Sequence, residues 1–267
     1  MTAIDSTPHS LGRKAYAIEL RHLQLEYCRL QEWVRLSGER IVVVLEGRTA
    51  AGRGTIVRKI ADCVNPRIFR MMTLPSRSPR EASQTFMQRF FRHLPAAGEL
   101  ILFNPSWYRL PNTEYVIRRS SSDEHRQFLQ TCPVAERFLI ETGIRLIKVW
   151  LEVGPEQQQE RLAACLQDPL LNLQVEDVDL ELSRRWYEFS KARDLMFDYT
   201  DTDLAPWHIV HMDDRRRGVL NALAHILSQV PYKTVDAAPR RLPERDDEGA
   251  YDDYASLAER RLVEIRY

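Results

Sequence analysis

Ile41-Val42-Val43-Val44-Leu45-Glu46-Gly47-Arg48-Thr49-Ala50-Ala51-Gly52-Arg53-Gly54-Thr55 is the stretch of sequence that decides the fold. It begins with five consecutive aliphatic residues, of which the first four are β-branched. A run of this kind is typical of a strand that is buried on both faces of a parallel sheet. A glycine-rich segment follows, and the residues after it predict a helix over 55–64. The sequence therefore predicts a strand, a tight turn and a helix in direct succession.

The turn has the composition of a phosphate-binding loop, because its glycines let backbone amides approach phosphate oxygens and the helix adds its positive N-terminal end. The usual P-loop pattern has lysine where this chain has Arg53, and serine or threonine where it has Gly54, one position before Thr55. A tight turn without a ligand would also explain the glycines. The position of the loop directly after a buried strand favours the interpretation as a phosphate-binding loop. The predicted phosphate-binding residues are Gly47, Arg48, Ala50, Ala51, Gly52, Arg53, Gly54 and Thr55.

Strands and helices alternate on both sides of this loop. The predicted strands after the first one are 68–74, 100–103, 144–153 and 208–212. The predicted helices are 14–35, 55–64, 81–93, 122–141 with a possible break at Pro133, 156–166, 177–199 and 214–229. Alternation of this kind predicts an α/β fold with a doubly wound parallel sheet.

The 267 residues allow one large α/β domain, which we place at 14–233. An N-terminal arm at 1–13 precedes it. A charged extension at 234–267 follows it and is rich in Pro, Arg and Asp, with a short terminal helix possible over 254–267.

The composition and charge of the chain argue against several classes of partner and location. Lys+Arg and Asp+Glu are both 38, so the net charge is zero and gives no reason to expect nucleic acid or a membrane surface as a partner. The four cysteines form no CxxC pair and no zinc-like spacing, which favours free thiols in a reducing compartment. No stretch approaches the length of a transmembrane helix, and the N-terminus lacks the pattern of a signal peptide. We therefore expect a cytoplasmic protein.

Further motifs accompany the loop in a fixed order. They are Leu74-Pro75, Arg80-Glu81, His93-Leu94-Pro95-Ala96-Ala97-Gly98-Glu99, Ser106-Trp107-Tyr108, Asp168-Pro169, Arg184-Arg185-Trp186, Ala205-Pro206-Trp207 and Leu227-Ser228-Gln229-Val230-Pro231-Tyr232. Together with Glu46-Gly47-Arg48 and Ala50-Ala51-Gly52, they make the chain from about residue 14 to 233 resemble the family-2 polyphosphate kinases.

The resemblance implies a thymidylate-kinase-like P-loop fold with a helical lid at about 166–185. It implies phosphoryl transfer between polyphosphate and nucleoside mono- or diphosphates. It also implies magnesium as the cofactor, with manganese possible, and assembly into dimers or tetramers.

The chain departs from the family pattern at the positions that carry the chemistry. Thr49 and Asn104 stand where the resemblance implies two aspartates near the metals, and Arg53 stands for the loop lysine. Pro105 replaces an arginine, and the segment after Asp168-Pro169 has no lysine. We take Arg53, Thr49 and Asn104 as the catalytic positions and expect no intact metal site. Other candidate site residues are Arg80, Glu81, Ser106, Tyr108 and Arg109.

These replacements favour a degenerate member of the family, since magnesium prefers charged carboxylates to neutral oxygens. Such a protein would bind a phosphate-rich or nucleotide ligand and act as a regulatory subunit, in a homo-oligomer or with an active paralogue. The alternative is a working phosphotransferase with an altered metal site, in which neighbours such as Glu46, Arg77 or Arg109 compensate. A third possibility is a structural partner that binds no ligand.

Overall fold

The computed structural model describes residues 11–235, 241–245, 248–258 and 260–266. The chain divides into two compact units, which meet in sequence between Val235 and Asp236. Most of the arm predicted at 1–13 lies outside the described residues.

The strands are β1 (Arg40–Gly47), β2 (Phe69–Met72), β3 (Glu99–Phe103), β4 (Ile144–Glu152) and β5 (Trp207–His211). The α-helices are α1 (Arg13–Ser37), α2 (Arg53–Ala61), α3 (Pro79–Ala82), α4 (Gln88–Phe91), α5 (Ser122–Glu141), α6 (Pro155–Gln167), α7 (Pro169–Asn172), α8 (Asp177–Arg184), α9 (Trp186–Thr200), α10 (Arg215–Ser228) and, in the second unit, α11 (Asp253–Ala258).

Within the described residues the strands form one parallel sheet of five, in the order β2-β3-β1-β4-β5. β1 is the central strand, and Val43 is in register with Leu102 of β3 on one side and Ile147 of β4 on the other. The chain first builds the sheet from β1 toward β2 and later toward β5. The carboxyl ends of β1 and β3 therefore flank the switch point at which α/β sheets bind ligands. This arrangement confirms the predicted doubly wound fold.

A hydrophobic core lies on each face of the sheet. Ile41, Val43 and Leu45 of β1 pack with residues of α1, α2 and α10, whereas Val42 and Val44 pack with residues of α5 and α9. All five side chains are fully buried. Successive side chains of a strand point to opposite faces. The uninterrupted aliphatic run of β1 thus supplies both cores at once.

The segment 81–93 is predicted as one helix, but the structure has two short helices there, α3 (Pro79–Ala82) and α4 (Gln88–Phe91), with a turn between them. Ser78 starts α3 through a reciprocal capping box with Glu81. The helix ends at Ala82, and the hydroxyl of the next residue, Ser83, donates to the carbonyl of Arg80. Serine side chains that bond to nearby backbone compete with helical hydrogen bonds. The prediction of a continuous helix is wrong for this reason.

The segment 177–199 is also divided, into α8 and α9, with Arg185 at the junction at φ −94° and ψ 37°. The guanidinium of Arg185 donates to the carbonyl of Val116, which lies far away in sequence, and to the carboxylates of Glu181 and Glu188. A tertiary contact of this kind leaves no trace in helical periodicity. The predicted single helix is therefore wrong here as well.

The remaining elements agree with the prediction to within a few residues. α5 runs from Ser122 to Glu141 with Pro133 inside it, so the predicted break does not occur. α7 was not predicted; Asp168 caps it by accepting hydrogen bonds from the amides of Leu170 and Leu171. Across the described ranges of the chain, none of the helices is both apolar and long enough for a membrane span.

A buried ion pair joins α5 to β4. The ammonium of Lys148 lies 2.8 Å from the carboxylate of Glu136, and neither side chain is more than 1% exposed. Glu136 also accepts hydrogen bonds from Trp107 Nε1 and the Tyr108 hydroxyl, and Lys148 donates to the carbonyl of Thr200. Buried charges are tolerated when each has a partner and further hydrogen bonds. This network therefore connects four separate parts of the chain without leaving a charge unpaired.

We expect Glu136→Gln to lower the free energy of unfolding by about 3–5 kcal/mol, because it leaves the buried Lys148 charge without its carboxylate. Chemical denaturation followed by circular dichroism measures the effect. The control is Arg184→Ala, which removes an exposed ion pair with Glu181 and should cost less than about 1 kcal/mol. Equal, small losses in both variants would contradict this account of the network.

Candidate phosphate-binding site

The loop between β1 and α2 takes its shape from close contact with β4. Gly47 has φ 151°, and a side chain at this position would meet the Cβ of Leu151 at 2.8 Å. The amide of Arg48 donates to the carbonyl of Leu151 at 3.1 Å. Ala50 has φ 61° and Gly52 has φ 109°, both in the left-handed region. Glycine is therefore required at 47 by space and favoured at 52 by conformation.

The outer side of the loop is held by α6. The amide nitrogen Nε2 of Gln158 donates to the carbonyl of Thr49 at 3.0 Å, and Arg161 Nη1 donates to the carbonyl of Ala50 at 3.2 Å. Gly52 precedes the first residue of α2, and no side chain caps that helix. The N-terminal end of a helix favours an anion. Hydrogen bonds from α6 to the loop carbonyls thus hold the loop in place. The N-terminal end of α2 has no capping side chain and faces the loop.

A cavity lies on each side of the loop. The lid-side cavity, of about 270 Å³, is bounded by the loop, α2, α6, α7 and the residues up to α8, and its lining includes Arg58, Leu171, Asp179 and Arg215. The strand-side cavity, of about 340 Å³, extends to the end of β3. Its lining includes Thr73, Asn104, Pro105, Arg109, Glu176 and Asp179. The residues Thr49, Arg53, Gly54 and Asp179 line both cavities. Two ligands that meet at the loop would fit this arrangement.

The structure brings the three predicted catalytic positions together at these cavities. Thr49 and Arg53 line both of them, and Asn104 lines the strand-side cavity. Arg53 Nη1 lies 3.3 Å from the carboxylate of Glu46. The other oxygen of that carboxylate accepts hydrogen bonds of 2.7 Å from both the amide and the hydroxyl of Ser106. Ser106 therefore orients Glu46, and Glu46 orients Arg53.

The side chain of Arg48 is held by other side chains of the protein. Its side chain is 3% exposed, forms an ion pair with Glu152, donates to the hydroxyl of Ser190 and lies 3.8 Å above the ring of Trp186. Burial lowers the pKa of the Arg48 guanidinium, and the hydrogen bond with Glu152 partly offsets this effect. The cation thus connects the loop to β4 and α9.

The other predicted site residues divide between the cavities and the body of the protein. Arg109 lines the strand-side cavity and lies near Glu114. Tyr108 is fully buried, and its hydroxyl belongs to the Glu136 network. Burial raises the pKa of the Tyr108 hydroxyl, which keeps it a neutral donor. Arg80 is exposed and Glu81 caps α3, and neither lines the two cavities. In the loop itself, Ala51 is fully buried in the core with α1 and α2.

The lid contributes an acidic residue to the site, Asp179, that the sequence motifs do not predict. The hydroxyl of Thr49 donates to Asp179 Oδ1 at 3.0 Å, and Asp179 Oδ2 accepts from the amide of Glu176 in the capping box of α8. The pattern Glu176-Asp177-Val178-Asp179 does signal the start of a helix. It does not reveal that the carboxylate of Asp179 faces the loop.

The residues of the site do not fit a metal ion held by several carboxylates. In the described part of the chain, no three His, Cys, Asp or Glu side chains come together in a way that could hold a metal. Thr49 and Asn104 offer neutral oxygens, and the carboxylates that line the cavities are those of Asp179 and Glu176. Magnesium is bound most effectively by charged oxygens.

The parallel sheet, the glycine-rich loop after its central strand and the helical lid define an α/β protein with a P-loop kinase-like fold. A model of the polyphosphate kinase 2 (PPK2) family matches residues 10–238. The chain belongs to this family.

Relatives in sequence and structure are consistent with this assignment. The chain is 41% identical over 248 residues to ADP-polyphosphate phosphotransferase 3 of Rhizobium meliloti, which covers 93% of this chain and 87% of the relative. It is 40% identical over 230 residues to GDP-polyphosphate phosphotransferase of Mycobacterium tuberculosis, covering 86% and 78%. The crystal structure of polyphosphate kinase 2 from Arthrobacter aurescens TC1 has the same fold, with a TM-score of 0.76, 24% identity and coverage of 96% and 90%.

We expect Gly47→Ala to destabilise the protein by at least about 3 kcal/mol, because the new methyl group has no room against the backbone of β4. Gly54→Ala is the matched control in the same loop. A Cβ there meets no atom within 4 Å, and alanine in a helix should be neutral or stabilise by up to about 1 kcal/mol. Thermal and chemical denaturation of both variants measure the difference. Similar stability of the two variants would show that the contact with Leu151 does not determine the loop.

Proposed function

We propose that this chain binds a phosphate-chain or nucleotide ligand at the loop between β1 and α2, and that it transfers phosphoryl groups between polyphosphate and nucleotides slowly or not at all. The observation that carries the proposal is the chemistry of the two cavities. Their shared boundary has the cation Arg53 and the uncapped end of α2, yet the family's two aspartate positions are Thr49 and Asn104.

Binding and transfer make different demands on a site. A phosphate chain needs a cradle of amides and cations, whereas transfer also needs metal ions that spread the charge of the moving group. Arg53, Arg58 and Arg215 supply cations around the lid-side cavity. The carboxylates that would hold metal are reduced to Asp179 at the shared boundary and Glu176 at the strand-side cavity. The site therefore supports binding better than catalysis.

The side chain of Arg53 and its contact with Glu46 support the same proposal. Arginine keeps the charge of the usual lysine but presents a planar fork of donors instead of a compact ammonium. One nitrogen of that fork lies against Glu46, which is itself held by Ser106. The fork is thereby aligned before any ligand arrives. An aligned guanidinium can bind phosphate oxygens in pairs, but it cannot follow a phosphoryl group as a flexible ammonium can.

A binding protein of this kind would serve as a regulatory subunit. We propose that it acts in a homo-oligomer or together with an active paralogue of the same family. Such a subunit would alter the paralogue's rate when mixed with it.

The first test is product formation from long-chain polyphosphate with ADP, AMP or GDP, in magnesium and then in manganese. We expect turnover at least about 100-fold below that of the Mycobacterium tuberculosis relative assayed in parallel, since one lost charge-stabilising group costs that much. The variant Thr49→Asp/Asn104→Asp should recover a large part of the difference.

The control for this variant is its thermal stability with and without magnesium. A second carboxylate at position 49 would lie beside Asp179, and the two would repel each other unless a cation lies between them. We therefore expect magnesium to stabilise the double variant more than the native protein. Turnover in the native protein close to that of the relative would contradict the proposal of impaired transfer.

A second candidate function is an active phosphotransferase with an altered metal site. It is favoured by Asp179, a carboxylate that lines both cavities, and by the names of the relatives. In that case Asp179→Asn should abolish turnover while leaving the hydrogen bond from Thr49 available, because an amide oxygen still accepts it. Unchanged turnover in this variant would exclude Asp179 as the replacement ligand. Asp177→Asn, on the same helix but outside both cavities, is the matched control.

A further inference from the structure

We infer that a cleft between α9 and the segment 115–122 binds a small organic phosphate, a molecule with one phosphate group and a compact apolar body. The cleft, here called the α9 cleft, has a volume of about 460 Å³. Small-molecule sites have volumes of about 300–1,000 Å³ and combine apolar side chains with a few polar groups. None of the residues that line the α9 cleft lines the lid-side or the strand-side cavity, so the inference does not depend on the proposed function.

Two cations line the α9 cleft without a partner in the described part of the protein. Arg118 comes from the segment before α5 and Lys191 from the middle of α9, and both residues are exposed. The other charged residue of the lining is Glu188, whose carboxylate lies 3.2 Å from the guanidinium of Arg185. A ligand would therefore meet two cations whose charge is not balanced. A phosphate monoester carries about two negative charges at neutral pH and would balance them.

A hydroxyl of the cleft also lacks a partner. Ser120 Oγ is shielded from solvent and has no hydrogen-bond partner among the described residues. Buried polar groups are almost always hydrogen-bonded, so an exception calls for an explanation. Ser122, the first residue of α5, adds a second hydroxyl to the lining. A phosphate group has enough oxygen atoms to accept from both hydroxyls and both cations, whereas a carboxylate offers fewer.

The backbone of Arg118 has a conformation that arginine seldom adopts. Its φ is 60°, in the left-handed region that favours glycine. The amide of Arg118 donates to the carbonyl of Tyr115, and the amides of Arg119 and Ser120 both donate to the carbonyl of Glu114. These hydrogen bonds fix the turn and therefore the point from which the guanidinium extends. A strained residue that borders a cleft is a reason to seek a function for its side chain.

The remaining lining suits an apolar body. It consists of Tyr115, Val116, Ala192 and Leu195. The ring of Tyr115 is supported by the buried ring of His125, which stacks on it with 3.7 Å between the ring centroids. Leu195 is 40% exposed, so a ligand that covers it removes apolar surface from water. A bare phosphate ion would leave these contacts unmade, whereas an organic phosphate would use them together with the cations.

A chemical-shift titration of the native protein by NMR tests the inference with three probes: phenyl phosphate, inorganic phosphate and benzoate. The amides of Ser120 and Lys191 report on the α9 cleft, and those of Gly52 and Gly54 report separately on the glycine-rich loop. At the cleft we expect phenyl phosphate to bind about tenfold more tightly than either other probe. Inorganic phosphate lacks the apolar body, and benzoate lacks the second charge.

Arg118→Gly separates binding from folding. It removes the guanidinium and places glycine where φ is positive. The affinity of the cleft for phenyl phosphate should therefore fall about tenfold, while the melting temperature stays equal or rises. Lys191→Met keeps an unbranched side chain without the charge and should also cost about tenfold. The matched control is Arg119→Gln, because Arg119 is exposed and does not line the cleft; it should leave the affinity within about twofold.

Ser120→Ala tests the hydroxyl. Since Ser120 Oγ has no partner among the described residues, its removal should not lower the melting temperature. The affinity for phenyl phosphate should fall about fivefold, because one hydrogen bond to the phosphate group is lost. A serine with a purely structural role would show the reverse, a lower melting temperature with unchanged affinity.

Three results would overturn the inference. The first is the absence of shifts at the α9 cleft with phenyl phosphate, including the case in which only Gly52 and Gly54 respond. The second is binding of benzoate or inorganic phosphate at the cleft as tight as that of phenyl phosphate. The third is an affinity that neither Arg118→Gly nor Lys191→Met changes. All three would leave the proposed function standing, since that is tested by turnover at the loop.

Discussion

The geometry of the site depends on the hydrogen bonds and the ion pair that one buried carboxylate, that of Glu46, makes with its neighbours. Glu46 is 4% exposed at the end of the central strand, so its charge requires partners inside the protein. The amide and hydroxyl of Ser106, just after β3, supply two of them, and Arg53 at the start of α2 supplies the third. One carboxylate thereby fixes the relative positions of β1, β3 and α2. The loop after β1 and the start of α2 line both cavities, and the residues that follow β3 line the strand-side cavity.

The sequence predicts the elements around this carboxylate well, because their signals are local. The aliphatic run of β1 and the spacing of glycines at 47 and 52 depend only on neighbouring residues, and the parallel α/β fold follows from alternation along the chain. The divided helices at 81–93 and 177–199 escape prediction. Each is interrupted by side-chain hydrogen bonds, at Ser83 and Arg185, that override a continuous helical pattern.

The candidate site is predicted in outline, and its details depend on tertiary contacts. The positions of Thr49, Arg53 and Asn104 around the loop follow from the motif. The partner of Thr49 is Asp179, which is 130 residues away in sequence. Arg48 looks like a phosphate ligand in the motif, yet it pairs with Glu152 on a neighbouring strand and stacks on Trp186. A motif gives the order of residues along the chain but not the competing partners that folding brings near.

The separation between the buried ion pair and the loop has a consequence for how this chain can change over evolutionary time. Lys148 and Glu136 stabilise the half of the protein around α5 and β4, and neither lines a cavity at the loop. Substitutions at positions 49, 53 and 104 therefore leave that source of stability intact. Stability that comes from this ion pair is therefore independent of which side chains stand at the loop positions where the chain departs from the family pattern.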